Sequence, residues 1–443
     1  MFRMHSRKTY ILFGVLFVIL VISTSCQVQN VPPAPEPILL GGFPDLNSSM
    51  QNIYRYDSTT ATLVPVIENA VNLSYLESIT YHSYSSVFSP DNKYMAVDVM
   101  DYEGYWDLKI FDVNQRDGQP IATAQIGTQL PKLREGFSND GRYYAFSFYN
   151  ETSGILDMGI LDLVNQGTLI ILPSAYFIDF SSDDQVYAIT INAEGQPQGV
   201  VKFNPVNETT ATVYQPSADG KLGLAILSPD QEWLLFTDQN TKTLNRVPVP
   251  GGTPELVYQL TGDNAAINYD QTGRYLIVLD LGTDQQLLKL FDLNFKEVYS
   301  LNGIGTTTMD FSNDGRFFAY QLFGTANMEL YLTDFQARTY FFIANSGIQY
   351  KVGISPDNKY LAYLSIESNV DHAGILYLVR LKDLQSTKIE SDVTSFKFDS
   401  DSTLLFVKLD DTDQTSTLFH LTDAGSAPTS LISGAKGILF LVH

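Results

Sequence analysis

Three aspartates near the C-terminus have the spacing that comes nearest to a metal site. Asp410, Asp411 and Asp413 lie in one short polar stretch, and alternating carboxylate oxygens are the ligands that Ca²⁺ prefers. The stretch lacks the glycine and the bidentate glutamate that a calcium loop carries at fixed positions. We therefore expect a solvated turn, with these three residues as a weak metal candidate, and no bound cofactor.

The common motifs for hydrolysis are missing. Neither Gly-x-Ser-x-Gly, which places a nucleophilic serine on a sharp turn, nor the zinc motif His-Glu-x-x-His occurs in the sequence. The three histidines between the chain ends, His82, His372 and His420, are far apart in the sequence. We predict no catalytic residue, and an enzyme is the less favoured interpretation.

A turn followed by an apolar strand recurs along most of the chain. In its clearest copy, Ser312-Asn313-Asp314-Gly315 is followed by the apolar run Phe317–Tyr320. Ser and Asp side chains hydrogen-bond the backbone of a turn, and Gly accepts the positive φ that such turns need. Eight copies stand 42 to 49 residues apart, at Ser89–Asp91, Ser138–Asp140, Ser181–Asp183, Ser228–Asp230, Asp270–Thr272, Ser312–Asp314, Ser355–Asp357 and Asp399–Asp401.

That period is typical of a four-stranded propeller blade. A hydrophobic content of 44% with 12% aromatic residues suits buried sheets, and no long helical period follows residue 40. Five alanines stand at the same place in the apolar strand, where a small side chain lets neighbouring sheets approach: Ala96, Ala145, Ala188, Ala319 and Ala362. We predict an all-β fold with a single propeller.

The repeat resembles the WD40-like (PD40, TolB-type) propeller repeat, whose signature is an apolar residue, Ser-Pro-Asp-Gly and an apolar strand. The resemblance covers Asn52 to the C-terminus, and it departs from the signature at Thr272, which replaces the aspartate. It implies a ring of blades. TolB proteins carry a further N-terminal α/β domain and no lipid, whereas here we expect the tether to lead straight into blades, so the resemblance does not transfer their periplasmic role.

The number of blades depends on how the ring closes. Residues Asn52–Val66 look like two outer strands without inner ones, and Gly437–His443 looks like a lone apolar strand. A ring must hide its sheet edges, and a blade that mixes strands from both termini does so. We favour eight blades, with nine or seven as alternatives.

Aromatic residues supply the candidate binding face. In a propeller, the connections between blades and the hairpins between second and third strands open on one face, opposite the repeated turns. Exposed aromatic clusters mark recognition surfaces. The candidates expected on that face are Tyr75, Tyr81, Tyr84, Tyr102, Tyr105, Trp106, Tyr149, Tyr176 and Tyr350.

The N-terminus has the pattern of an export signal. Arg3, Arg7 and Lys8 precede the apolar run Ile11–Ile22, which is short for a membrane span. Small residues before Cys26 resemble the lipobox of bacterial lipoproteins, which implies a lipidated cysteine after removal of the signal. Cys26 is the chain's one cysteine, so no disulfide framework exists.

We therefore predict a lipoprotein signal peptide at 1–25, a lipid-anchored flexible tether at 26–45 and a propeller domain at 46–443. The expected location is outside the cytoplasm, anchored by lipid to the bacterial cell membrane or outer membrane. The formal net charge is −22 and no basic cluster occurs, so we expect no nucleic-acid partner.

These patterns favour a monomeric, non-catalytic binding scaffold in the cell envelope, with an envelope protein, a peptide or a glycan as partner. The alternative is a propeller enzyme, a lyase, lactonase or glycan-cleaving enzyme, that uses carboxylates or a metal at the central channel. A third possibility, a structural or sensory ectodomain, differs from the first only in its partner. An enzyme should bring two or more buried carboxylates together at the channel mouth, whereas a scaffold should not.

Overall fold

A computed structural model describes most of the chain after residue 38. The described residues are 39–43, 50–57, 60, 62–71, 88–100, 106–115, 119–127, 135–165, 167–217, 220–249, 251–262, 265–270, 272–282, 286–302, 309–323, 328–345, 349–366, 373–410, 412–413, 415–422, 425–436 and 438–441. They all belong to one compact unit, Glu36–His443. The expected signal peptide and Cys26 lie outside the described residues.

The described residues contain 34 strands, all paired antiparallel, and no helix. None of them therefore belongs to a helix long and apolar enough to cross a membrane. The first ten strands are β1 (Leu39–Phe43), β2 (Met50–Asp57), β3 (Thr62–Val71), β4 (Tyr94–Met100), β5 (Trp106–Asp112), β6 (Ala122–Gly127), β7 (Gly136–Phe137), β8 (Tyr143–Asn150), β9 (Ile155–Asp162) and β10 (Thr168–Leu172).

The next twelve strands form three regular four-stranded sheets. They are β11 (Ala175–Phe180), β12 (Val186–Ile191), β13 (Pro197–Asn204), β14 (Thr209–Tyr214), β15 (Leu222–Leu227), β16 (Trp233–Asp238), β17 (Thr243–Pro248), β18 (Glu255–Gln259), β19 (Ala265–Tyr269), β20 (Leu276–Leu281), β21 (Gln286–Phe291) and β22 (Glu297–Asn302).

The last twelve strands include one long strand whose two parts pair with different neighbours. They are β23 (Met309–Phe311), β24 (Phe317–Phe323), β25 (Met328–Asp334), β26 (Thr339–Ala344), β27 (Gln349–Ile354), β28 (Tyr360–Ile366), β29 (Gly374–Arg380), β30 (Gln385–Phe398), β31 (Leu404–Asp410), β32 (Thr415–Leu421), β33 (Thr429–Lys436) and β34 (Ile438–Leu441). The first part of β30 pairs with β29, and its last part pairs with β31.

These strands form the blades of a β-propeller. Blade 1 is β34-β1-β2-β3, blade 2 is β4 to β6 together with the bridge between Phe88 and Met95, and blades 3 to 7 take four strands each, in order, from β7 to β26. Blades 8 and 9 share β30. Counted over the described strands there are nine such units, which is one of the two alternatives to eight that the sequence left open.

Both chain ends contribute to blade 1. Strand β34 pairs with β1 from Leu40 opposite Leu441 to Phe43 opposite Ile438, as expected for a ring closed by mixed strands. Strand β1 lies within residues 26–45, which the sequence analysis assigned to the tether. The predicted outer strands in Asn52–Val66 therefore pair with two inner strands. One is β34, from the C-terminal end of the chain, and the other is β1, which directly precedes them.

Each repeated turn is closed by the same set of hydrogen bonds. The fourth residue of each of the eight turns has positive φ and donates its N–H to the carbonyl of the first residue at 2.8–2.9 Å. In the turns of blades 2, 3, 4, 5, 7 and 8 the buried serine hydroxyl donates to the aspartate two residues later at 2.5–2.7 Å. The turn therefore satisfies its own buried polar groups.

The turn of blade 6 keeps this bond with its partners exchanged. Here the carboxylate of Asp270 comes first, and the hydroxyl of Thr272 donates to it. The Asp270 carboxylate also accepts the N–H of Tyr275 at 2.6 Å, as the serine hydroxyl does elsewhere. The departure at Thr272 thus preserves the function of the turn.

Turns of neighbouring blades are bonded to each other. The N–H of Asn139 donates to the Asp184 carboxylate at 2.9 Å, and the N–H of Asn313 donates to the Asn358 side chain at 2.9 Å. Between these, the N–H of Ser182 donates to Gln231 at 2.6 Å. The second residue of one turn is therefore bonded to the fourth residue of the next.

Proline changes this contact in a way that the sequence reveals. Pro90 and Pro229 occupy the second position and have no N–H to donate. The fourth residues of the turns that follow are Gly141 and Gly273, which carry no accepting side chain. Pro356 also occupies the second position, but there the N–H of the third residue, Asp357, donates to the Ser402 hydroxyl of the next turn at 3.0 Å.

The hydrophobic core lies between blades. Each of the eight apolar clusters among the described residues contains side chains of two neighbouring blades. Leu40 of blade 1, for example, packs with Leu405 and Val407 of blade 9. The five predicted alanines are at most 5% exposed, which confirms their expected place in the core.

We predict that the exchanged turn of blade 6 can be restored to the common pattern. Thr272→Asp removes the hydroxyl donor and places a second carboxylate beside Asp270, so we expect the free energy of unfolding in urea to fall by about 1–3 kcal/mol. Adding Asp270→Ser recreates the common pair and should recover most of that loss. A double variant as unstable as Thr272→Asp alone would contradict this account of the turn.

Candidate functional site

The two faces of the propeller differ in what they present. Strands β11, β15 and β19 are the innermost strands of blades 4, 5 and 6, and each of them ends at a repeated turn. The connections between blades and the hairpins between second and third strands lie at the opposite ends. We call these two sides the turn face and the loop face.

A cavity opens on the loop face between blades 4, 5 and 6. Its volume is about 380 Å³, which is in the range of small-ligand sites. The innermost strands of all three blades and two hairpins contribute to it. The lining residues are Tyr176, Gln196, Pro197, Lys221, Leu222, Gly223, Leu224, Thr237, Gln239 and Ala265.

A bulge in β15 shapes the wall of this cavity. The pairing between β15 and β16 shifts between Leu222 and Ala225, and the N–H of Leu224 donates to the Thr237 hydroxyl at 2.9 Å rather than to a backbone carbonyl. Leu224 is therefore turned outward and is 44% exposed. Bulges reorient side chains in this way near binding sites.

Gly223 makes this arrangement possible. A Cβ added there would meet the Thr237 hydroxyl and would lie 3.4 Å from the Cγ atom of Gln239. The residue at 223 must therefore lack a side chain for Thr237 to hold the bulge and for the cavity to stay open.

The lining offers hydrogen bonds and one positive charge. The side-chain amides of Gln196 and Gln239 each donate and accept, and the side chain of Lys221 is exposed at the mouth. Among the described ion pairs of the chain, none includes Lys221. No carboxylate or imidazole lines the cavity. This chemistry suits the binding of a polar group and offers no acid-base pair for catalysis.

The structure places four of the predicted aromatic residues at loop-face ends of strands. Tyr176 lies in β11 and lines the cavity, whereas Trp106 begins β5 in blade 2 and Tyr149 lies near the end of β8 in blade 3. Tyr350 belongs to β27 in blade 8. These residues are spread over four blades and form no single cluster. Tyr75, Tyr81, Tyr84, Tyr102 and Tyr105 lie outside the described residues.

The weak metal candidate remains without support. Asp410 ends β31, and its carboxylate accepts the N–H groups of Thr412 and Asp413 at 3.0 and 3.4 Å, as in an ordinary turn. Asp411 lies outside the described residues. In the part of the chain that the structure describes, no three His, Cys, Asp or Glu side chains are grouped so as to hold a metal ion.

A pair of half-buried carboxyl groups lies elsewhere, between blades 2 and 3. Asp98 is on β4, and Glu135 directly precedes β7. Burial raises the pKa of Asp98, and burial together with the charge of Asp98 raises the pKa of Glu135, which is hydrogen-bonded to Tyr144. None of these three residues lines the cavity.

Sequence reasoning missed this pair because its members belong to different blades and to no motif. One signal was present. Asp98 is the only charged residue in β4, whose other members are Tyr94, Met95, Ala96, Val97, Val99 and Met100. A lone charge within an apolar strand is unusual enough to merit a search for its partner.

The comparisons with known proteins agree with the fold. No family model matches the chain, and no curated protein matches it. Among solved structures, a eukaryotic initiation factor is similar over 92% of this chain and 98% of its own, with a TM-score of 0.55 and 13% identity.

Two further structures are similar at lower scores. A dihydro-heme d1 dehydrogenase covers 81% of this chain and 76% of its own, with a TM-score of 0.47 and 15% identity. A β-propeller domain from Myceliophteria thermophila covers 63% of this chain and 92% of its own, with a TM-score of 0.39 and 14% identity. At these identities the likeness concerns the fold alone. The chain has the fold of a β-propeller.

We predict that Gly223→Ala closes the cavity at a cost in stability. The added methyl group displaces Thr237 and breaks its bond to Leu224, so the free energy of unfolding in urea should fall by about 1–3 kcal/mol. Gly425→Ala is the matched control, because a Cβ there meets no atom within 4 Å. Equal stability of the two variants would show that Gly223 has no special role.

Proposed function

We propose that this propeller is a non-catalytic binding module whose loop face recognises its partner. The observation that carries the proposal is the cavity between blades 4, 5 and 6, which is lined by amide, hydroxyl and aromatic groups and by Lys221. Such groups fix the orientation of a bound polar ligand.

The enzyme alternative has weaker support. An enzyme of the predicted kind needs carboxylates that converge where a substrate binds. The pair Asp98 and Glu135 belongs to blades 2 and 3, whereas the cavity belongs to blades 4, 5 and 6. A cavity without a carboxylate or an imidazole among its lining residues favours binding over chemistry.

The proposed location follows from the N-terminal pattern. The basic residues, the apolar run Ile11–Ile22 and Cys26 together support export and lipid anchoring. A second membrane signal or a second acyl chain would make such an anchor stable. The partner would then be an envelope protein, a peptide or a glycan in the same compartment, and the propeller would act as a monomer.

Photo-cross-linking in intact cells tests the proposal. A photoreactive residue replaces Lys221 at the cavity mouth in one variant of the full chain. It replaces Lys296 in the control, because Lys296 is exposed in the hairpin between β21 and β22 on the turn face. We expect a specific adduct from position 221, absent from position 296 and reduced by Gly223→Ala.

Two results would oppose the proposal. Adducts of equal intensity from both positions would mean that the loop face is not the recognition surface. Absence of any specific adduct at position 221, together with turnover of a metabolite by the purified protein, would favour the enzyme alternative. Mass spectrometry of the adduct would identify the partner.

A further inference from the structure

The interface between blades 2 and 3 contains two acidic side chains and a tyrosine. Asp98 follows Ala96 on the same face of β4, and Ala96 packs with Tyr144 of blade 3 in one cluster. Tyr144 is 1% exposed and is hydrogen-bonded to Glu135. The two residues therefore lie at the same contact between blades 2 and 3, near enough for the charge of Asp98 to act on Glu135.

Among the described residues the pair has too few partners for two negative charges. The Oδ1 atom of Asp98 is enclosed and has no hydrogen-bond partner. Tyr144 supplies a hydrogen bond to Glu135 alone. Carboxylates that are buried together without compensating donors or cations are strongly disfavoured.

The charged groups described on β4, β5 and β9 do not neutralise the pair. On β5, Lys109 pairs opposite Val97 in the ladder, so it points away from Asp98, and its ammonium lies 3.8 Å from Asp107. Lys93 donates to the hydroxyl of Tyr94. Described strands β6 and β7 carry no charged residue, and on β9 Asp157 accepts from Asn150 and Ser174.

We propose that Asp98 and Glu135 form a proton-binding site that stabilises the contact between blades 2 and 3 while it holds a proton and weakens it when both carboxylates are charged. The shared proton supplies the hydrogen-bond donor that the enclosed oxygen of Asp98 lacks. Its loss leaves two like charges facing each other across the interface. The proposal is independent of the function proposed for the cavity.

The pKa shifts give the direction and the pH range. Burial raises the pKa of Asp98 from 3.8 to about 7, and burial with the charge of Asp98 raises that of Glu135 from 4.5 to about 8. The folded chain therefore holds more protons than the unfolded chain above about pH 4, so stability falls as the pH rises. The stabilisation is lost as the pH passes through 7 and 8, where the two groups titrate as a unit.

The chain supplies its own reporter for this interface. Trp106 is partly buried against the cluster shared by blades 2 and 3, whereas Trp233 packs in the cluster between blades 5 and 6. These are the two tryptophans of the sequence. Trp233→Phe leaves Trp106 as the local probe, and Trp106→Phe leaves Trp233 as the distant control.

The test measures fluorescence and urea unfolding from about pH 5 to about pH 9. In the Trp233→Phe background we expect the Trp106 emission to shift to longer wavelength and the urea midpoint to fall as the pH rises. Glu135→Gln, which keeps the size of the side chain, should remove most of both changes. Asp98→Asn should do the same where it folds.

A matched acidic variant separates this effect from general charge. The pKa of Asp334 lies below its usual value, mainly because Arg316 donates hydrogen bonds to its carboxylate. The contribution of Asp334 to stability is therefore lost only as the pH falls. Asp334→Asn should therefore leave the slope above neutral pH unchanged. Two results would overturn the proposal. One is a Glu135→Gln variant whose urea midpoint depends on pH as in its parent, and the other is an emission shift of Trp233 as large as that of Trp106.

Discussion

The hydrogen bond between a buried hydroxyl and an aspartate two residues away is the interaction on which the propeller depends. Each such bond contributes about 1 kcal/mol, and it lies in a turn whose fourth residue has positive φ. That residue then accepts from the preceding turn in three of the blade contacts, such as Asp184 from Asn139. A local turn thereby sets the distance from one blade to the next.

The position of every other feature follows from that spacing. Because all turns lie on one face, the blade connections and the ends of β11, β15 and β19 meet on the other, where the cavity opens. Because the core lies between blades, a polar group on an inner strand must find its partner in the next blade. Asp280 of blade 6 accepts from Tyr258 of blade 5 and from Thr261 in the connection between these blades, and Asp98 faces Glu135 across the interface of blades 2 and 3. The same architecture thus produces both a binding cavity and an acid pair.

The sequence predicts the repeated parts well because they depend on short-range chemistry. The Ser and Asp of each turn, the alanines of the core and the pairing of the termini were all accessible from spacing. Strand β1 was missed because Leu39–Phe43 contains two glycines and follows a proline-rich stretch, which weakens the strand pattern. The cavity and the pair Asp98 and Glu135 depend on residues that only the closed ring brings together, so neither has a local signature.

A designed disulfide between the two chain ends tests the closed ring most directly. Gly42 and Leu439 are directly opposed in the pairing of β1 with β34, and opposed residues of antiparallel strands are close enough for a disulfide. In a Cys26→Ser background, cysteines at both positions should form an intramolecular bond on mild oxidation and change the mobility of the denatured chain. A folded protein in which these cysteines stay reduced, or bond only between molecules, would contradict the closed ring.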